Sequence, residues 1–314
     1  MTTILITGGT GMIGKAITKA LLEKNYKVII LSRSSDNKQE HGGNVSYALW
    51  NVENQTISEE AIGKADYIIH LAGEGIADKR WSEKRKQQIR DSRVKGGELL
   101  SKALRDMPNK VKAVVSASAI GWYGEDPVVP NPNPFTETAT ADNGFLGQTC
   151  LEWEKSIDPV AELGKRVVKY RTGIVLSNSG GALREFEKPV RFGVAAILGS
   201  GKQVISWIHI DDLVRLYITA IESDDMRGVF NAVAPRPVSN KELTLQLAQT
   251  KKGKFFIPLY VPSFVLKTVL GEMSVEVLKS ATVSCDKIHY TGFTFLFPSI
   301  DAALDDLEKK KASG

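Results

Sequence analysis

Cysteine is scarce in this chain: two residues in 314, Cys150 and Cys285, lie far apart. That excludes a disulfide framework and leaves no metal-ligand spacing, and both residues are expected to be reduced thiols in a cytoplasmic protein. Long apolar runs are missing as well, so no transmembrane helix is expected. The sequence passes from Met1 straight into a strand-like run, with no basic leader and no small-residue cleavage pattern, so no secretory signal is expected. It contains no internal repeat and no long low-complexity tract.

The composition, 42% hydrophobic and 25% charged, is that of a globular protein large enough for one ordinary domain and a smaller one. The net charge of +5 suits an enzyme that holds a phosphate-rich cofactor. Along the first half, short apolar runs alternate with helical spacing. Thr3 to Thr7 reads as a buried strand, and Ile13, Ile17, Ala20 and Leu21 as one helix face. Further strands are predicted at Lys27 to Leu31, Val45 to Leu49, Tyr67 to Leu71, Lys112 to Ala117 and Val167 to Tyr170. Ser34 to Asn44 reads as a loop. Helices are predicted within Ser82 to Asp106 and from Gly147 to Leu163. This alternation predicts an α/β fold, a Rossmann-type doubly wound parallel sheet. Beyond Asn178 the pattern is less regular. A helix is expected over Ile208 to Ser223, a strand over Val229 to Ala232, and two helical patterns after Tyr260. A half-buried strand is expected around Phe293, Phe295 and Phe297. The expected division is a dinucleotide-binding domain over 1–175, to which 204–233 returns, and a smaller C-terminal α/β substrate lid over 176–314.

Gly8-Gly9-Thr10-Gly11-Met12-Ile13-Gly14 stands between a strand and a helix, the context in which a G-x-G-x-x-G run binds a dinucleotide. Gly9 and Gly11 are expected to give the tight turn and the close approach to a pyrophosphate, and Gly14 the helix packing. Free N–H groups at the helix start would face the phosphates. The end of the second strand indicates which dinucleotide. An acidic residue there accepts from the ribose 2′-hydroxyl of NAD; here Ser32 and Arg33 stand instead, and no carboxylate precedes Asp36. Arg33 offers a planar, permanent cation suited to a 2′-phosphate, so NADP(H) is favoured over NAD.

Three motifs follow the predicted strands: Thr7-Gly8-Gly9-Thr10-Gly11-Met12-Ile13-Gly14, His70-Leu71-Ala72-Gly73 and Ser116-Ala117-Ser118-Ala119. With Glu74, the run Asp78-Lys79-Arg80-Trp81, the run Ser206-Trp207-Ile208-His209-Ile210-Asp211-Asp212 and Leu270-Gly271-Glu272-Met273, they make the chain resemble an atypical branch of the extended short-chain dehydrogenases/reductases. This is the NAD-dependent epimerase/dehydratase-like branch with a small C-terminal domain of unknown role. The resemblance covers nearly the whole chain. It implies that Gly8, Gly11, Met12 and Ile13 hold the pyrophosphate and that Ser32 and Arg33 hold the 2′-phosphate. Asn51 and Val52 would flank adenine, with Asn51 where the family usually has Asp. Leu71, Ala72 and Gly73 would line the nicotinamide-side ribose, with Glu74 and Arg80 nearby.

The catalytic half departs from the family pattern. Its usual Tyr-x-x-x-Lys, in which lysine lowers the tyrosine pKa for proton transfer, falls on Phe145 to Thr149. No Tyr followed four residues later by Lys occurs between Ala119 and Ser156. Ser118 occupies the family's serine position, with a backbone hydrogen bond as its alternative role. Tyr123 is a candidate substitute acid or a loop-packing residue, His209 a candidate proton carrier or a structural helix-start residue, and Glu74 a candidate base or a residue near the cofactor ribose. Lys79, Arg80, Lys84, Arg85, Lys86, Arg90, Arg93 and Lys95 crowd one stretch against Glu83 and Asp91. Without a nucleic-acid motif this reads as the solvated face of a crossover helix, with RNA binding through it a weaker alternative. The expected function is an NADP-dependent oxidoreductase or epimerase-like protein, monomeric or homodimeric, acting on a small hydroxyl or carbonyl compound such as a nucleotide sugar. The alternative is an NADP(H)-binding regulatory or scaffold protein with little turnover.

Overall fold

Side-chain alternation along one short strand sets up the layers of this protein. The structure, a computed structural model, describes residues 1–34 and 43–312. It opens with β1 (Thr3–Thr7), α1 (Met12–Glu23), β2 (Lys27–Ser32), β3 (Val45–Asn51), β4 (Thr56–Ile57), α2 (Glu59–Lys64), β5 (Tyr67–His70), α3 (Glu83–Asp106) and β6 (Ala113–Ala119). Next come α4 (Phe145–Ile157), α5 (Pro159–Glu162), β7 (Arg166–Thr172), β8 (Ile174–Leu176), α6 (Ala182–Arg191), β9 (Val194–Leu198), β10 (Val204–Ile205), β11 (Trp207–His209), α7 (Ile210–Glu222) and β12 (Gly228–Ala232). The chain ends with β13 (Val238–Ser239), α8 (Asn240–Lys252), β14 (Ile257–Val261), α9 (Ser263–Leu270), α10 (Ser274–Leu278), α11 (Asp286–His289) and α12 (Ile300–Ala312).

All five residues of β1 are buried. Ile4 and Ile6 point to one core with Ile17, Leu21, Leu213 and Tyr217, from α1 and α7. Leu5 points to a second core with Leu99, Leu100 and Leu104 of α3. A strand buried on both faces must be covered by helices on both, which is the doubly wound arrangement. The sheet order is β12-β7-β6-β5-β1-β2-β3-β4, parallel throughout except at the β3–β4 edge. Strand order reverses at β1, so a crevice opens between the carboxyl ends of β1 and β5. A third core, around Leu183, Trp207, Leu243, Leu247 and Leu304, holds the smaller C-terminal domain together.

The main sheet takes its outermost strand, β12, from residues far along the chain, and α7 packs against α1. The expected loop Ser34 to Asn44 falls largely on 35–42, outside the described residues. The strand expected around Phe293 to Phe297 does not form. Phe293 and Phe295 are buried and Leu296 exposed, as the alternation implies. The amides of Leu296 and Phe297, however, donate to the carboxylate of Asp212 (2.8 and 2.9 Å), not to a neighbouring strand. Among the described residues, no helix is long and apolar enough to cross a membrane.

The segment 280–284 is clasped between two loops. Ser206 Oγ donates to the Ala281 carbonyl (2.8 Å) and accepts from the Val283 amide (3.0 Å). From the other side, the buried Asp126 carboxylate accepts from Ser280 Oγ, Thr282 Oγ1, the Thr282 amide and Asn131 Nδ2, all within 3.0 Å. A buried carboxylate so surrounded is stable only because every donor is matched. Asp126→Ala strands those donors and is expected to cost about 3 kcal/mol. Urea denaturation of the variant against wild type measures it, and a loss below about 1 kcal/mol would show that the clasp is dispensable.

Candidate functional site

The crevice is built around a tight self-contact of the chain. Gly8 follows β1 with φ +69°, a left-handed conformation that glycine adopts freely. A Cβ there would lie 3.0 Å from the Leu71 carbonyl carbon and the Ala72 nitrogen. The turn thus rests on Gly8, whereas Gly9 is constrained by packing, since its Cβ would meet Ile30 at 2.9 Å. Gly14 is the most crowded of the four: its Cβ would lie 2.4 Å from Gly8 O and 2.6 Å from Gly9 Cα. Gly11 differs. Its Cβ would meet only Gly8 O, at 3.3 Å, so this face of the loop is open. Gly11 is the N-cap of α1, makes no side-chain cap, and is followed by no acidic residue in the first turn. The amides that open α1, including those of Met12 and Ile13, therefore present a positive helix end to the crevice.

Thr7 ties the two walls together. Its Oγ1 accepts from the amides of Leu71 and Ala72 (both 3.1 Å) and lies 2.7 Å from His70 Nδ1. The Leu71 amide is shared between this hydroxyl and the Thr7 carbonyl (3.1 Å), and the Thr7–His70 hydrogen bond joins the hydroxyl to the buried imidazole. His70 is fully buried, and burial pushes its pKa down to about 4.

The sequence-derived cofactor residues are distributed around this crevice. Ser32 ends β2, and the side chain of Arg33 is 86% exposed. Asn51 ends β3, where its Oδ1 accepts from the Asn54 amide (3.0 Å) in a local turn; Val52 packs against the core. Leu71, Ala72 and Gly73 form the wall after β5. Gly73 lies against Arg93, whose guanidinium carbon would be 3.1 Å from a Gly73 Cβ. Glu74 follows with its carboxylate 3.2 Å from Arg85 and 3.8 Å from Arg33, so it is directed toward the end of β2. Arg80 lies apart, against the C-terminal domain: a Cβ on Gly271 would meet its Nη2 at 3.0 Å. Lys86 pairs with Glu272 in the same seam (2.5 Å), and Trp81 packs edge-on against Phe145 with ring centroids 5.0 Å apart.

Ser118 and Tyr123 meet in a buried polar network. Ser118 Oγ donates to Glu154 Oε1 (2.7 Å). Arg171 grips Glu154 with two bonds (2.8 and 3.1 Å), donates to Tyr123 Oη (3.2 Å), and stacks on Trp122. Tyr123 donates to Asn231 Oδ1 (2.6 Å), and the Asn231 amide donates to Glu137 (2.8 Å). Tyr123 has no exposed surface, and burial outweighs the nearby guanidinium to push its pKa up to about 12. At the aligned Tyr-Lys position, Phe145 opens α4 and Thr149 lies one turn on, where its Oγ1 donates to the Phe145 carbonyl. His209 is also fully buried. It caps α7 by accepting from the Asp211 amide (3.1 Å), and its ring lies 3.9 Å from that of Phe297.

Sequence reasoning did not single out Thr7, His70, Glu154, Arg171 or Asn231. The available signal was a polar or charged residue at a position that the surrounding pattern makes a core position, as Arg171 is in β7. Several cations of the basic stretch are paired within the chain, Arg85 in the interior and the others nearer the surface. Arg85 pairs with Glu74, Lys86 with Glu83 and Glu272, Arg90 with Glu152, and Lys95 with Asp91, while Arg93 donates to two backbone carbonyls.

Comparison with known proteins agrees with this architecture. The model of the NAD dependent epimerase/dehydratase family matches residues 4–144, and that of a domain of unknown function, DUF1731, matches 261–307. An epimerase family protein of Staphylococcus saprophyticus is 37% identical over 304 residues, covering 96% of this chain and 98% of that protein. The epimerase family protein YfhF of Bacillus subtilis is 33% identical, with 97% of each chain covered. Among solved structures, the human epimerase family protein SDR39U1 with NADPH superposes with a TM-score of 0.82 at 28% identity, covering 98% of this chain and 99% of that one. A nucleoside-diphosphate sugar epimerase from Corynebacterium glutamicum gives 0.76 at 30% identity, covering 98% of this chain and 58% of that one.

The Thr7–His70 contact carries a pH signature. The native imidazole stays neutral down to about pH 4, whereas an unfolded chain takes up its proton near 6.5. Between those values only the unfolded state binds the proton, so stability falls as pH falls through that window. The accumulated loss is roughly 3 kcal/mol. His70→Asn keeps an acceptor for Thr7 and removes the titration. Denaturant midpoints of the variant are expected to fall less steeply than those of wild type from pH 6.5 to 4; parallel slopes would overturn the assignment.

Proposed function

The chain belongs to the NAD-dependent epimerase/dehydratase family, and on that premise we propose that it is an NADP(H)-dependent oxidoreductase or epimerase-like protein acting on a small hydroxyl or carbonyl compound. One observation carries the cofactor half: the open, uncapped start of α1 at Gly11 follows β1, the neighbour of β2, whose end carries Ser32 and Arg33, a cation, where an NAD site carries an acid on the strand itself. Gly11, Met12 and Ile13 would hold the pyrophosphate and Arg33 the 2′-phosphate. The nicotinamide supplies hydride chemistry when bound, while the protein binds and orients. The NADPH of the human relative and the sugar nucleotide in the name of the bacterial one support the same substrate and cofactor classes.

A second reading follows from the buried network. Tyr123 is closed off from solvent and held as a donor to Asn231, and the Tyr-x-x-x-Lys position is Phe145 and Thr149. This arrangement supports an NADP(H)-binding protein with little turnover, in which Ser118 and Tyr123 serve a buried structural network with Glu154, Arg171 and Asn231. The two readings share the cofactor and differ in proton transfer.

Thermal shift with NADP+ and NAD+ tests the shared part. NADP+ is expected to stabilise the protein more, and Arg33→Ala to weaken NADP+ about ten- to hundredfold with little effect on NAD+. Equal stabilisation by both dinucleotides, unchanged in Arg33→Ala, would overturn the preference. Oxidation of bound NADPH by a panel of carbonyl compounds, read at the reduced-nicotinamide absorbance, together with epimer formation from nucleotide sugars, which leaves the cofactor unchanged overall and is read by product chromatography, separates the enzyme from the low-turnover protein.

A further inference from the structure

We propose that Glu74 tunes the cofactor preference of this site by competing with the 2′-phosphate for Arg33. The proposal rests on the NADP(H) reading above and assigns a role to a carboxylate which that reading leaves without one. Among the described residues, Glu74 is an acid that faces the end of β2, although it comes from the loop after β5. Its backbone is fixed at both ends by α3: the amide donates to Ser92 Oγ (3.0 Å), and the carbonyl accepts from Arg93 Nη1 (3.0 Å). Its side chain is fixed by Arg85, a guanidinium only 8% exposed, which also donates to the Gly75 carbonyl (2.6 Å). Oε2 of Glu74 faces Arg85 at 3.2 Å, and Oε1 lies 3.8 Å from Nη1 of Arg33.

Topology makes this contact span the cofactor site. In the sheet β1 lies between β2 and β5, so an ion pair between residues that follow β2 and β5 passes over the carboxyl end of β1, where the glycine turn begins. The two partners are unequal. Glu74 is anchored, whereas Arg33 is held by a long contact and is almost entirely in water. A pair of this kind contributes little by itself and is easily exchanged. A 2′-phosphate offers Arg33 more charge and more acceptor oxygens than one carboxylate. A 2′-hydroxyl offers neither. NADP therefore binds by taking Arg33 from Glu74, against the residual repulsion of a fixed anion near its phosphate. NAD leaves the pair as it is.

Glu74→Gln tests this, because glutamine keeps an oxygen for Arg85 and removes the charge. Dissociation constants for NADP+ and NAD+ are measured by titration calorimetry in wild type, Glu74→Gln, Arg33→Ala and the double variant, with thermal unfolding as the control for folding. Glu74→Asp is the second variant: it retains the acid and shortens its reach. The expected result is NADP+ binding about three- to tenfold tighter in Glu74→Gln, a smaller gain in Glu74→Asp, and NAD+ within about twofold of wild type. In the Arg33→Ala background the gain should shrink to less than about half, since the competition has lost its object. Unchanged or weaker NADP+ binding in Glu74→Gln overturns the proposal, as does an equal gain for NAD+, which would make the pair a simple barrier to entry. Failure of wild type to bind either dinucleotide overturns the cofactor reading itself and this assignment with it.

Discussion

The site depends on how closely the chain approaches itself at the end of β1. Parallel neighbours β1 and β5 converge until Gly8 touches the Leu71–Ala72 peptide, and Thr7 takes both amides of that turn onto one hydroxyl. That contact fixes the direction in which the chain leaves β1. Gly9 and Gly14 then allow α1 to start within a few ångströms of the strand, because any side chain at Gly14 would strike the backbone of Gly8 and Gly9. The open helix end at Gly11 is therefore a product of steric necessity on its other sides. Three glycines are required for packing and one for access, and the sequence motif does not distinguish them.

A second set of contacts holds the C-terminal domain over the same edge of the sheet. Asp126 and Ser206 grip 280–284 from opposite sides, while Lys86 and Arg80 meet residues 271 and 272. The charged stretch of α3 thus has two structural tasks: its start joins the two domains, and its middle supports the turn at Gly73 and Glu74. A nucleic-acid surface needs cations free to meet phosphates. Here Arg85, Lys86, Arg90 and Lys95 each already face a carboxylate of the same chain.

The parts of the fold that follow from local pattern were legible in the sequence. β1, α1, β2 and the helix within Ser82 to Asp106 declare themselves by periodicity, and the glycine turn by its place between strand and helix. The smaller domain was much less legible. α6, α8 and β9 are brought together by contacts distant in sequence, packing their buried faces on one another and on α12, and β14 pairs with β9 while staying largely exposed. The phenylalanine alternation at 293–297 was misread because alternation records which side chains are buried and not what the backbone bonds to. Asp212, distant in sequence, supplies the acceptors that a neighbouring strand would have supplied. Tyr123 shows the same limit. Its sequence position fits a cleft residue, and its burial depends on Asn231 and Arg171, which no spacing links to it.

The energetics of that tyrosine bear on the chemistry. A phenol with a pKa of about 12 costs roughly 7 kcal/mol to ionise at pH 7. A lysine beside a tyrosine in an open cleft can lower that cost, because its charge is uncommitted. Arg171 donates to Tyr123 at 3.2 Å and is bonded twice to Glu154. The Arg171 charge and its hydrogen bond lower the phenol pKa, and desolvation raises it by more. A change that freed Arg171 from Glu154 would lower the tyrosine pKa and leave an unpaired cation in the core. Burial within a fully bonded network thus keeps the phenol protonated, accepting from Arg171 and donating to Asn231, the one state in which every polar group around it is matched.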